Sequence, residues 1–224
     1  MRMKKIMFSD KYCLTQAVLN GSKTMTRRSF ARFEPDARMF DEICNVEGGF
    51  DDKGRWIFTL YNKDGDIIGD MIPRYNVGEV VAIAQSYKSI ADERDEAETA
   101  LDLYKIGDNF LTMDEMAAGW NNKMLVKADL MPHHIRITDV KIELLQDILE
   151  KDCLREGIGY HSDRDDVWSD DSLWGYYGYN KHKYELFTFD TPHEAFTSLI
   201  DKIMGKGTWE SNPWVAAYSF ELVD

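Results

Sequence analysis

The chain has 224 residues, 44% of them hydrophobic and 12% aromatic, which excludes a disordered protein and allows a substantial core. Its formal net charge of −13 repels polyanions and argues against non-specific binding to extended DNA or RNA. A small nucleoside or nucleotide, or an RNA held at one locally basic spot, remains compatible with this charge. The net charge therefore favours a small nucleoside or nucleotide, or an RNA bound at one basic site, as the partner.

The expected location is the cytoplasm. No apolar run reaches the roughly 20 residues that span a bilayer, and the polar residues 9–11 interrupt the N-terminal stretch before a signal-peptide core forms. The three cysteines are odd in number and widely spaced, so we expect buried free thiols rather than disulfides. We predict no membrane partner.

In chain order, the first part predicts a short strand at residues 5–8 and a helix that begins near Leu14. Gly21 is placed to end that helix in a left-handed conformation. Residues 23–28 favour an extended backbone through their threonines. This segment carries an unusual concentration of positive charge for so acidic a chain.

The middle of the chain predicts a hairpin and a buried strand. Residues 55–61 are typical of a strand, and residues 63–65 supply the turn into the next one. Residues 80–84 are small and branched apolar residues, which indicates a strand buried on both faces. Residues 92–104 predict a polar surface helix.

The last part predicts alternating strands and helices. Apolar and polar residues alternate over 134–144, which predicts a strand, and apolar residues over 145–155 have the spacing of a helix. Residues 191–194 form a capping box with proline at the first helical position, and residues 214–222 predict a closing strand. Five or six scattered strands with helices between them indicate an α+β fold, built as a mixed β-barrel.

The segment around residue 23 suggests a site. In an extended backbone Thr24, Thr26 and Arg28 share one side and Met25 and Arg27 the other. Spacing alone fits a solvent-exposed edge strand, whose charges discourage aggregation, at least as well.

Residues 21–28 read Gly-Ser-Lys-Thr-Met-Thr-Arg-Arg and resemble the Gly-x-Lys-Thr-x-Thr-x-Arg signature of ASCH domains, a family of the PUA superfamily. Residues 75–84, 147–157 and 212–221 resemble three further blocks of that family, in the expected order. The resemblance extends over roughly half of the chain. It implies a PUA-like β-barrel with flanking helices, a fold often linked to RNA metabolism.

Small bacterial ASCH proteins include amidohydrolases that remove the acetyl group from N4-acetylcytidine, and the resemblance places their proposed active-site residues on Lys23, Thr26 and Glu156. Thr26 would attack the acyl carbonyl or orient a water. Lys23 would accept its proton if burial lowers its pKa from about 10.4. Glu156 would protonate the departing nitrogen or bind the cytosine edge. Arg28, or backbone N–H groups near it, would stabilise the oxyanion.

Further substrate-binding candidates are Thr24 and Arg28 in the signature, and Gln85 and Tyr87 after the buried strand. Packing at the strand end explains Gln85 and Tyr87 equally well. Trp209 is a candidate for stacking on a base.

The chain is longer than the small amidohydrolases. We expect a single domain over residues 1–224 with inserted helical and loop segments near 30–55, 88–130 and 158–190. Aromatic residues in the last segment would form a lid over a nucleobase or a subunit contact; they are Trp168, Trp174, Tyr176, Tyr177 and Tyr179.

Neither the five histidines nor the acidic run at 163–166 has the spacing of a metal site. His133 and His134 are adjacent and would point to opposite faces of a strand. The acidic run lacks the glycine and the terminal glutamate of a calcium-binding loop. We predict no metal and no cofactor.

Two functions follow from the residues and the resemblance together. The first is a hydrolase that deacylates an N4-acylated cytidine or a related modified nucleoside. The alternative is a non-catalytic ASCH module that binds RNA or a nucleotide in the same pocket. A third possibility is an interaction protein in which the signature is merely structural. The sequence does not specify the oligomeric state.

Overall fold

The computed structural model describes residues 3–29, 42–54, 56–92, 105–106, 109–110, 112–161, 175–178 and 189–223. This part of the chain is mixed α+β, which confirms the predicted fold class. Most of the polar helix predicted over 92–104 and parts of all three expected insertions lie outside the described residues. So do Trp168, Trp174 and Tyr179 of the aromatic segment.

The described part contains twelve strands and six α-helices. The strands are β1 (Lys5–Ile6), β2 (Met25–Ser29), β3 (Asn45–Phe50), β4 (Trp56–Tyr61), β5 (Ile67–Met71), β6 (Val80–Ile83), β7 (Lys105–Ile106), β8 (Asn109–Phe110), β9 (His134–Leu144), β10 (Ile158–His161), β11 (Gly175–Gly178) and β12 (Trp214–Leu222). The helices are α1 (Leu14–Leu19), α2 (Tyr87–Asp92), α3 (Met113–Gly119), α4 (Glu150–Arg155), α5 (Pro192–Met204) and α6 (Thr208–Ser211).

The main sheet has five strands in the order β1-β6-β9-β12-β2. β1 runs parallel to β6, and the other neighbours are antiparallel. β12 lies between β9 and β2, so it is buried along most of its length rather than on alternate residues alone. The two edges of the sheet are β1 and β2, and the described strands do not close it into a barrel. The barrel therefore stays a prediction.

The second sheet has three strands, two of which form the predicted hairpin. β4 and β5 pair through a turn in which Gly65 has a φ of 84°, and β3 pairs on the other side of β4. The sequence analysis did not predict β3. Two short ribbons, β7–β8 and β10–β11, complete the described strands.

The core joins both larger sheets to the helices α1 and α5. Val81 and Ile83 of β6 belong to this large cluster, whereas Ala82 and Ala84 belong to a second, smaller one against α2 and α3. The strand predicted to be buried on both faces is therefore confirmed. Cys153 is buried as expected, but Cys44 is exposed.

Helix α5 forms as its sequence dictates. The Thr191 hydroxyl accepts a hydrogen bond from the Glu194 N–H at 3.2 Å, which satisfies an N-terminal donor. The helix predicted over 145–155 is shorter, since a 3-10 turn (Leu145–Asp147) precedes α4. Within the described residues, no helix combines the length and the hydrophobicity that crossing a bilayer requires.

We expect the central strand β9 to control stability. Ile135 is fully buried there, so Ile135→Ala should lower the free energy of unfolding by about 2–5 kcal/mol, through lost burial and a cavity. The same substitution at Ile67, which is 65% exposed on β5, should cost less than about 1 kcal/mol. Urea denaturation of both variants measures this. Equal losses would contradict the assignment of Ile135 to the core.

Candidate functional site

Backbone hydrogen bonds hold the signature segment between two helices. α1 is followed by Gly21, whose φ of 76° lies in the left-handed region, as predicted. The Lys23 N–H then donates to the Ala17 carbonyl at 2.8 Å, and the Thr24 N–H donates to the Arg155 carbonyl at 2.9 Å. The main chain before β2 is thus tied to α1 on one side and to the end of α4 on the other.

Glu156 lies directly after α4, and its N–H still bonds to the Asp152 carbonyl at 2.9 Å. Gly157 follows with a φ of 98°, a conformation that residues other than glycine adopt at a cost. There the chain leaves the helix and enters β10. The turn leaves the Glu156 side chain buried, at 4% exposure, facing the start of β2.

The centre of the site is an ion pair between Lys23 and Glu156. The Lys23 ammonium donates to Glu156 Oε2 at 2.6 Å and to the Glu156 carbonyl at 2.7 Å, and Lys23 is only 2% exposed. Burial lowers the pKa of Lys23 below its ordinary value; the Glu156 carboxylate opposes this shift, and the charges of Arg28 and Arg27 add to it. The ammonium is thus predisposed to lose its proton.

Arg27 binds the other oxygen of the same carboxylate. Its Nη1 lies 3.1 Å from Glu156 Oε1, and its Nε donates to Glu143 at 2.9 Å. Asp152 lies 3.7 Å from Nη2. The side chain is fully buried, with its guanidinium 6.0 Å from the centre of the Phe196 ring. Glu156 therefore keeps a cationic partner when Lys23 is neutral.

Lys141 extends this network toward solvent. Its ammonium lies 2.9 Å from Glu143 and 3.2 Å from Asp152. Burial alone would raise the pKa of Asp152, but the hydrogen bond from Lys141 and the charges of Lys141, Arg27 and Arg155 lower it overall. A continuous charged chain thus connects the buried pair to the surface.

A pocket of about 310 Å³ opens onto the ion pair. Its floor contains Lys23, Thr26 and Glu156, each no more than 4% exposed. One wall is apolar and comes largely from α5, where Leu199 and Ile200 line it. The volume is at the lower end of the roughly 300–1,000 Å³ typical of small-molecule sites. The three side chains that the resemblance groups together thus line one cavity.

Thr26 and Arg28 both line the pocket, but their side chains differ in hydrogen bonding. The Thr26 hydroxyl has no hydrogen bond to another described residue, which leaves it available to a ligand. Arg28 is half-buried, donates from Nη2 to the Met7 carbonyl and lies 5.4 Å from the centre of the Phe8 ring. It links β2 to the segment after β1, across the open edges of the main sheet.

Four other predicted binding residues do not line this pocket. The Thr24 hydroxyl accepts from Arg155 Nε at 3.3 Å. Gln85 and Tyr87 are buried beside the smaller core cluster, where Tyr87 packs against Gly119. Trp209 packs edge-to-face on Phe196, with 6.2 Å between ring centres. Strand-end packing therefore describes Gln85 and Tyr87 better than base contact does.

Neither the contacts of Arg27 nor the apolar wall that α5 gives the pocket was predicted from the sequence. Alternation placed Arg27 on the opposite side from Thr26, yet its long side chain reaches Glu156. Its partners come from β9 and α4, so no local pattern could identify it. Among the described residues, no group of three or more metal-ligating side chains is arranged to hold a metal ion.

Comparison with protein-family models found no match. No curated protein and no solved structure matched the chain significantly either. The site is therefore characterised by its geometry and by the signature residues alone.

We expect Arg27 to be essential for stability. Arg27→Met would leave the carboxylates of Glu143, Asp152 and Glu156 with fewer cations in a dry environment, lowering the free energy of unfolding by about 3–5 kcal/mol. The matched control is Arg136→Met, because Arg136 is half-exposed and only 3.6 Å from the exposed Glu221; its loss should cost less than about 1 kcal/mol. Chemical denaturation compares the two. Similar values would show that the buried network contributes no more than a surface pair.

We expect the titration of Lys23 to depend on Glu156. In Glu156→Gln the pKa of Lys23 should fall further, because the carboxylate is the group that opposes the effect of burial. NMR of 13C-labelled lysine side chains across the alkaline range measures this, with exposed Lys63 as an internal reference. A higher Lys23 pKa in the variant would contradict the assigned pairing.

Proposed function

We propose that this chain is an ASCH-like amidohydrolase that deacylates an N4-acylated cytidine or a related modified nucleoside. The observation that supports it best is the convergence of Lys23, Thr26 and Glu156 on one pocket. Lys23 and Glu156 are 133 positions apart, and neither their spacing nor the overall composition requires them to meet. The signature resemblance is the second support.

Within this proposal, Lys23 is the general base. Its ammonium loses a proton more readily than that of an exposed lysine because it is buried. Neutral Lys23 then accepts the proton of the Thr26 hydroxyl, or of a water that Thr26 orients. The oxygen attacks the acyl carbon, and the new ammonium places positive charge beside the developing oxyanion.

The reaction also needs a proton donor for the leaving exocyclic nitrogen, and the Lys23 ammonium suits this role. Both Glu156 oxygens already accept hydrogen bonds from cations, so Lys23 is the better donor to the exocyclic nitrogen as the C–N bond breaks. This revises the part first assigned to Glu156, which instead orients the ammonium. If Thr26 is the nucleophile, a water hydrolyses its ester and restores the hydroxyl. The products are the free amine and a carboxylic acid.

The PUA-like barrel belongs to the same proposal. The Arg28 side chain on the edge strand β2 donates to Met7, directly after the other edge strand β1, an arrangement compatible with a barrel that opens at the pocket. The non-catalytic alternative uses the same pocket to hold a base without turnover. The lowered pKa of Lys23 and the available Thr26 hydroxyl favour catalysis over simple binding.

The test is hydrolysis of a series of N4-acylcytidines by the purified protein. Lys23→Met and Thr26→Val should each lower kcat/KM by at least about 100-fold, the size of a lost general base or nucleophile. Thr59→Val is the matched control, since Thr59 lies on β4 outside the pocket, and it should keep the wild-type rate. Near-UV circular dichroism verifies that each variant folds.

The pH profile adds an independent check. Because the base must be neutral, kcat/KM should rise with pH and level off above the pKa of Lys23. Absence of hydrolysis for every acylated nucleoside would refute the enzymatic proposal. Tight binding without turnover would instead support the non-catalytic alternative.

A further inference from the structure

The pocket is positively charged inside a strongly acidic protein. Its lining contains three cations, Lys23, Arg27 and Arg28, and one carboxylate, Glu156. Lys23 is paired with Glu156, and Arg27 is paired with Glu143 and Glu156. Arg28 forms no ion pair with another described residue. It is the lining cation that has no ion-pair partner among the described residues.

The absence of an ion pair is unusual because part of the Arg28 side chain is buried. One nitrogen donates to the Met7 carbonyl, but Nε is buried and has no hydrogen-bond partner among the described residues. Burial lowers the pKa of Arg28, although Tyr75 and Glu156 oppose the shift. Buried charges are ordinarily paired, because an unpaired one loses its hydration without compensation. The Nε atom is too enclosed to meet a ligand, but the guanidinium as a whole has no carboxylate partner among the described residues, and a bound anion at the pocket would supply one.

We propose that Arg28 binds the phosphate of the ligand, rather than the oxyanion first assigned to it, so that the pocket takes a nucleoside 5′-monophosphate in preference to the nucleoside. The identity of the base rests on the proposed function, whereas the phosphate does not. A planar guanidinium matches the oxygens of a phosphate group and forms strong, charge-assisted hydrogen bonds with them.

The position of Arg28 fits a ligand whose base lies at the floor of the pocket and whose phosphate lies at the rim. Lys23, Thr26 and Glu156 lie at the buried floor, where the acylated base would react. Arg28 is half-buried, and the neighbouring lining residue Ser29 is exposed. A ligand with its base at the floor therefore has its phosphate toward the rim. The net charge of −13 disfavours a longer polyphosphate chain there, so we infer a mononucleotide rather than RNA.

Calorimetric titration with cytidine and with cytidine 5′-monophosphate tests the proposal without requiring turnover. The wild-type protein should bind the monophosphate at least about tenfold more tightly, as one charge-assisted hydrogen bond of about 1.4 kcal/mol provides. In Arg28→Gln the two affinities should become equal within about twofold. Arg136→Gln removes the same charge outside the pocket and should preserve the difference.

A measurement on the wild-type protein covers the case in which Arg28→Gln does not fold. Inorganic phosphate should compete with cytidine 5′-monophosphate at the rim and weaken its apparent affinity. The proposal is overturned by equal affinities for the two ligands, by binding of neither, or by the absence of competition. Tighter binding of a short oligocytidylate than of the monophosphate would overturn the choice of a mononucleotide.

The two proposals fail separately. Phosphate-dependent binding with no hydrolysis of any acylated substrate would remove the amidohydrolase and keep the phosphate site. Hydrolysis of N4-acetylcytidine with the same kcat/KM as its 5′-monophosphate would keep the amidohydrolase and remove the phosphate site.

Discussion

The buried ion pair between Lys23 and Glu156 is the interaction on which the site depends. Removing two charges from water costs several kcal/mol per ion, and their attraction in the interior does not reliably recover that cost. The protein nevertheless buries them at 2% and 4% exposure, with a 2.6 Å contact. Such a pair is therefore poor evidence for stabilisation by itself.

Neighbouring charged side chains reduce the free-energy cost of burying the Lys23–Glu156 pair. The guanidinium of Arg27 shares the Glu156 carboxylate and joins it to Glu143. Lys141 then carries the network toward solvent. Because the carboxylate has two cationic partners, a change in the protonation of one does not leave it isolated. The carboxylate at the end of α4 is therefore paired with Arg27 in either protonation state of Lys23.

Much of this architecture was predictable where the determinants are local. The cap of α5, the left-handed Gly21 and the β4–β5 hairpin depend on a few adjacent residues, and each formed as expected. The signature indicated Lys23 and Thr26, although their meeting with Glu156 depends on strands distant in the chain. Arg27 could not be assigned in advance, because alternation describes where a side chain starts and not how far it reaches. Gln85 and Tyr87 do not line this pocket, because a polar group at a strand end can also pack beside a second core.

The apolar wall of the pocket has a separate origin from its charged floor. The floor comes from β2 and the end of α4, and backbone hydrogen bonds hold it in place. The wall comes from α5, whose Leu199 and Ile200 contribute only hydrocarbon to the cavity. Substitutions along this helix face can therefore change the size and shape of the cavity while the ionic centre stays intact. If the proposed function holds, one helix would determine which acyl or base group fits, independently of the side chains that transfer protons.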